Sequence, residues 1–198
     1  MIKGQIGNLG LTDWWLTQFP KKEREIIIET YQPMGLGNSR DLLLNYDILD
    51  QTESATKFLT NLSGWFNTKE NRHLAYKIIK KAEEMIDSDT NIIDIHFFYQ
   101  HKIQIHYKDR DNDSQAYNIA KQACLEQIKI APKVAETFKN EHNDTFLPGH
   151  VGYTQLAIIE EKEKNWKAVI DLAEQAKKEG WNGDWDKRIE RCKKKIGV

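Results

Sequence analysis

The chain has 198 residues, of which 39% are hydrophobic and 30% charged, and its formal net charge is −1. That length suffices for one ordinary domain or for one elongated stack of helical hairpins. The near-neutral charge gives no global bias toward nucleic acid, and no apolar run approaches the roughly 18 residues of a membrane span, so neither partner is expected.

Residues 1–11 read as a loose, glycine-spaced arm. Thr12 or Asp13 can cap a short helical turn carrying Trp14, Trp15 and Leu16. Pro20 suits the first position of a following helix, KKEREIIIETY, which stops before Pro33. The tryptophan pair reads either as a wedge closing one end of the core or as a ligand box. Gln32 to Arg40 is a connector dense in turn formers. The stretch DLLLNYDILD over residues 41–50 fits either a short helix or a strand-like run.

From Ser54 a helical hairpin is expected. Phe58, Leu59, Leu62, Trp65 and Phe66 form its first apolar stripe, and Leu74, Ala75, Ile78, Ile79, Ala82 and Met85 its second. A further hairpin covers Asn91 to Ile130, with Ser114 as the N-cap of its second helix. Its first half carries a conflict. Alternation of Phe97, Tyr99, Ile103, Ile105 and Tyr107 suits a strand, whereas Ile95, Tyr99, Ile103 and Tyr107 recur at helical spacing. Helix is chosen because nothing else in the chain offers a partner strand. Pro132 then opens another helical segment, KVAETFKNEH, followed by a polar loop at residues 143–145. Pro148 to Trp181 forms the clearest hairpin, with Gly180 where a C-cap glycine belongs. Asp184 can cap a last helix that ends in a lysine run.

Internal repetition organises these pieces. In the frame of the last hairpin, Tyr153, Leu156, Ala157, Trp166, Val169, Ala173 and Ala176 align with Leu59, Leu62, Ser63, Phe66, Ala75, Ile79 and Ala82. The middle hairpin contributes Ile103, Tyr107, Ala116, Ala120 and Ala123 to the same frame. Over residues 54–181 the chain resembles the tetratricopeptide-repeat family, with repeats spaced more widely than the family period of about 34 residues. The resemblance implies an all-α fold, a right-handed α-solenoid of about three hairpins. It also implies an organisation of capping helices over 1–53, hairpins over 54–181 and a capping helix over 182–198.

The resemblance further implies a non-catalytic module that binds a protein or peptide in a concave groove. Carried over by position, the groove is lined by Lys57, Thr60, Gly64, Asn67 and Thr68, by Phe98, His101, Ile105, Lys108 and Asp109, and by Val151, Thr154, Ile158, Glu161 and Lys162. Thr60 and Gly64 stand where the family holds a C-terminal carboxylate with lysine and asparagine, so a chaperone-type clamp is not expected. Phe98, His101 and Ile105 read either as an apolar anchor site with one titratable ring or as core packed beneath the Pro132 helix.

Enzyme chemistry finds little to stand on. There is no HExxH, P-loop, GxSxG or paired-cysteine zinc spacing, and no cofactor is expected. His96, His101 and His106 are five apart, about 140° on a helix, so they cannot ligate one ion together. Cys124 and Cys192 suit small core residues in a reducing compartment, and the opening MIKGQIGNLG lacks a signal peptide's apolar stretch, so a cytoplasmic address is expected. A peptide- or ligand-sensing regulator is the second reading, and a metal-dependent enzyme the third.

Overall fold

A computed structural model describes residues 2–35, 37–47, 53–142 and 146–197, without the side chains of 141 and 142. It is mainly helical, as the periodicity predicts. It divides into two compact units, Met1–Thr90 and Asn91–Val198.

The first unit runs α1 (Gly4–Asn8), α2 (Thr12–Gln18), α3 (Lys21–Thr30), a π-helical turn (Asp41–Asn45), α4 (Ala55–Gly64) and α5 (Arg72–Glu84). The glycine-spaced start is thus a short helix rather than a loose arm. It is tied down by Lys3 N–H donating to Leu44 O (2.8 Å) and Gly4 N–H to Tyr46 O (2.9 Å). Gly4 has φ +54°, and a Cβ there would lie 2.4 Å from the Leu43 carbonyl carbon, so only glycine allows this approach. Leu11, not Thr12 or Asp13, occupies the N-cap of α2. Pro20 is the N-cap of α3 rather than its first residue. The expectation for residues 41–50 resolves as a π-helical turn over its first half, and residues 48–50 lie outside the described residues. Ser54, where the hairpin is expected to begin, caps α4, accepting from Lys57 N–H at 3.0 Å. Phe58, Leu59, Leu62 and Phe66 of the first stripe and Leu74, Ala75, Ile78 and Ala82 of the second are all buried.

The second unit holds α6 (Ile92–Tyr107), α7 (Ser114–His142), β1 (Leu147–Gly149), α8 (Val151–Lys162), α9 (Trp166–Glu179), β2 (Trp181–Asn182) and α10 (Trp185–Ile196). The helix-or-strand conflict in residues 92–107 resolves as helix, and its physical origin is now visible. His96 and Ile103 are buried on one face and Phe98 and Ile105 on another about 200° away, so two helical stripes interleave to mimic alternation. Pro132 does not open a new helix. It lies inside the continuous 29-residue α7, with its ring exposed while Ala131, Val134 and Ala135 on the inner side stay buried. The cost is one missing N–H donor, and the buried stripe carries the helix through it. Asp113, not Ser114, caps α7, accepting from Gln115 N–H at 2.8 Å and Ala116 N–H at 3.2 Å. Asp184 holds the N-cap of α10 without a side-chain bond. The loop expected at 143–145 lies outside the described residues.

Within this unit α7 packs against both α6 and α8, α6 also meets α8, and α9 packs between α8 and α10. The first helices run parallel: His96 lies beside His150 at their starts, and the Lys162 ammonium donates to the Tyr107 hydroxyl (3.3 Å) at their ends. Gly180 ends α9 at φ +93°, as the C-cap reading requires. The sequence reading missed the short parallel pairing of β1 with β2, Leu147 opposite Trp181, which joins the two ends of the α8–α9 hairpin.

Candidate functional site

The residues carried over as groove lining divide sharply. Thr60, Phe98 and Ile105 are buried at 1%, 0% and 1% exposure, and so line no open face. Lys57, Gly64, Thr68, Lys108 and Lys162 are exposed, while Asn67, His101, Asp109, Val151, Thr154, Ile158 and Glu161 are half-buried. Glu161 is committed within its own unit, accepting from Arg188 (2.9 Å) and Arg191 (2.6 Å) of α10. Asn67 accepts from Arg72 Nε at 3.0 Å. Burial holds the His101 imidazole below its ordinary range. Of the carried-over positions, Thr60 in the first unit and Phe98 and Ile105 in the second are thus closed off, and the rest keep some exposure.

An open cleft lies instead in the first unit, where α2 faces α5. Its cavity is about 320 Å³, lined by Trp14, Gln18, Tyr76, Lys77, Lys80, Lys81 and Glu84. Helical spacing builds both walls: Trp14 and Gln18 are four apart on α2, and Lys77, Lys81 and Glu84 follow one stripe of α5. The tryptophan pair thereby splits between its two readings. Trp15 is buried in the core, whereas Trp14 is half-buried on the cleft wall, edge-on to Phe19 at 5.0 Å.

The cations of the cleft are not equivalent. Lys77 donates to Glu23 Oε2 at 2.8 Å and lies 5.5 Å over the Phe19 ring, while Lys81 lies 3.3 Å from Glu84 Oε2. Lys80 is exposed and, among the described residues, has no ion-pair partner. A second basic surface, on α10, joins Lys187, Glu190, Arg191, Lys194 and Lys195 around about 380 Å³ of open space. It belongs to the lysine run already legible in the sequence. The α2–α5 cleft was not legible, because its lysines read as one more solvated helix face until α2 lies across them.

The second unit contains a different polar cluster, closed rather than open. His96 and His150 are each 1% exposed, with ring centroids 5.1 Å apart. Gln127, fully buried on α7, straps them in place: its amide donates to His96 O (2.9 Å) and its oxygen accepts from Gly152 N–H (2.7 Å). A Cβ at Gly152 would fall 2.8 Å from that oxygen and 3.0 Å from the Cys124 carbonyl oxygen, so a larger residue would have to displace the Gln127 strap. His150 Nδ1 accepts from Tyr153 N–H at 3.2 Å, so the neutral ring carries its proton on Nε2. His96 Nδ1 and His150 Nε2 are buried without a partner among the described residues. Burial drives the His96 imidazole down to about 4; burial and then the charge of His96 drive His150 down to about 3. A metal ion is a poor occupant. Ligation through His150 Nε2 leaves Nδ1 needing a proton where it already accepts one, and among the described residues no three ligating side chains converge.

No family model, curated protein or solved structure matches the chain. Among the described residues, no helix is long and apolar enough to cross a membrane.

Proposed function

We propose that this chain is a non-catalytic binding module that takes an acidic segment of a partner protein in the α2–α5 cleft. The observation that carries this reading is the Lys80 ammonium, without an ion-pair partner among the described residues, which lines an open cavity together with Lys77, Lys81 and Tyr76 on the α5 wall and Trp14 on the α2 wall. A carboxylate side chain satisfies the ammonium, and the aromatic walls cover the apolar stem or neighbour that carries it. Binding of this kind stays sensitive to salt, because the cleft is open to solvent.

The tetratricopeptide-like reading keeps its support in the second unit. Parallel α6 and α8 with α7 packed against both, and buried Ala116, Ala120 and Ala123 of α7, Ala157 of α8, and Ala173 and Ala176 of α9, are what stacked repeat hairpins need. A right-handed solenoid is the arrangement we infer from that pattern. Its proposed role is to carry the module rather than to supply the primary contact.

Selection from a displayed peptide library tests the function. Peptides rich in Asp and Glu with an adjacent aromatic or aliphatic residue are expected to be enriched. Lys80→Glu with Lys81→Glu is expected to weaken them at least tenfold while leaving the denaturation midpoint unchanged. Enrichment of basic or neutral peptides, or binding indifferent to the double substitution, rejects the cleft.

A further inference from the structure

We propose that the His96–His150 pair is an acid-operated latch: protonation releases Trp181 and the start of α8, opening that end of the second unit. The geometry makes the pair the shared anchor of three elements. Trp181 of β2 stacks on His96 (5.7 Å between ring centres, 4° between planes) and meets His150 edge-on (4.6 Å, 70°). Trp181 is also the residue through which β2 pairs with Leu147 of β1. His150 is the N-cap of α8. One pair of rings therefore holds α6, the β1–β2 pair and the α8 terminus together.

A proton has nowhere comfortable to go. On His150 it lands on Nδ1, converting the acceptor for Tyr153 N–H into a second donor and removing the cap. On His96 it creates a charge 5.1 Å from the other ring in a site sealed from water. The Trp181 face is the one contact that favours an imidazolium at His96, and burial, which drives that ring down to about 4, outweighs it; the charged groups nearby give no relief. From α9, Glu179 faces the cluster, but its oxygens already accept from Tyr153 Oη (2.9 Å) and Trp181 Nε1 (2.9 Å). From α7 come Phe138, whose ring is edge-on to His96 at 6.1 Å, the buried Cys124 thiol, and Lys139, which reaches the Gly180 turn. Asp94 lies two residues before His96 on α6. Among the described residues no carboxylate is bonded to either imidazole. The rings thus stay neutral while the latch is shut and take up protons once it opens, so acid favours the open state.

Native-state hydrogen exchange on the full chain tests this, followed at the Gly152 and Tyr153 amides and the Trp181 indole N–H. After correction for intrinsic exchange, the opening constant is expected to rise as pH falls below about 6.5, up to tenfold per pH unit for each histidine. His96→Phe with His150→Asn keeps an aromatic stack and a capping oxygen, and is expected to flatten that dependence. The wild-type chain gives an independent reading in the ring-proton titrations of His96 and His150. Ordinary midpoints near 6.5 in the folded protein overturn the proposal, as do a flat wild-type opening constant or an unchanged slope in the double variant.

Discussion

Trp14 and Trp15 are adjacent in sequence and opposite in role. The Trp15 indole is buried beside Phe19 (5.6 Å), whereas Trp14 shows one face to the cleft. Trp15→Ala is expected to cost about 3–5 kcal/mol in denaturant unfolding. Trp14→Ala is expected to cost only about 1 kcal/mol, chiefly its edge contact with Phe19, and to weaken acidic peptides selected on the wild-type chain. Equal costs for the two substitutions would reject the division. Small residues carry the opposite kind of information. Ala82 and Ala176 are both fully buried, as the repeat register requires, and Ala176 lies in a cluster with Tyr153, Ala173 and Trp185. Ala176→Leu is expected to overpack that contact and lower stability by about 1–3 kcal/mol. An unchanged denaturation midpoint would reject the register there.

Helix α7 shows how an element outlasts a local signal against it. Pro132 removes a donor in the middle of 29 helical residues, yet its ring sits on the exposed side while Ala131, Val134 and Ala135 keep the buried stripe continuous. Pro132→Ala is therefore expected to stabilise the protein by about 1–3 kcal/mol, read as a raised denaturation midpoint. A destabilised variant would mean that the proline sets a bend on which the packing depends. Capping was only partly readable at this scale. The start of the hairpin at Ser54 was legible from its position before an apolar stripe, and the structure adds its capping bond to Lys57 N–H. Asp113 was missed because Ser114 beside it is an equally good N-cap by type, and only the chain direction entering the helix decides between them. The β1–β2 pair had no signal at all: Leu147–Gly149 and Trp181–Asn182 are too short for a strand period and meet only because a hairpin closes between them.

At the scale of the molecule, the buried imidazoles couple folding to pH. His96 and His150 bind protons in the unfolded chain near pH 6.5 but hold out to about 4 and about 3 when folded. Between those limits the unfolded state carries more protons, so stability falls as pH drops, by up to about 1.4 kcal/mol per pH unit for each ring. Denaturation midpoints are expected to be level above about pH 7 and to decline from 6.5 toward 4. The decline should be shallower in His96→Phe with His150→Asn, and a parallel decline in that variant would assign it to the carboxylates. The helical class, the hairpin at Pro148–Trp181, the buried alanines and the two core cysteines were all legible in the sequence, because periodicity and residue size are local properties that burial acts on directly. The candidate sites were not. Phe98 and Ile105 have the same spacing whether their face is open or covered, Lys80 is one more helix-surface cation until α2 lies opposite, and His96 and His150 are 54 positions apart in number (150 − 96). What a face meets depends on which elements pack against it, and that is decided by long-range contacts for which a one-dimensional period carries no term.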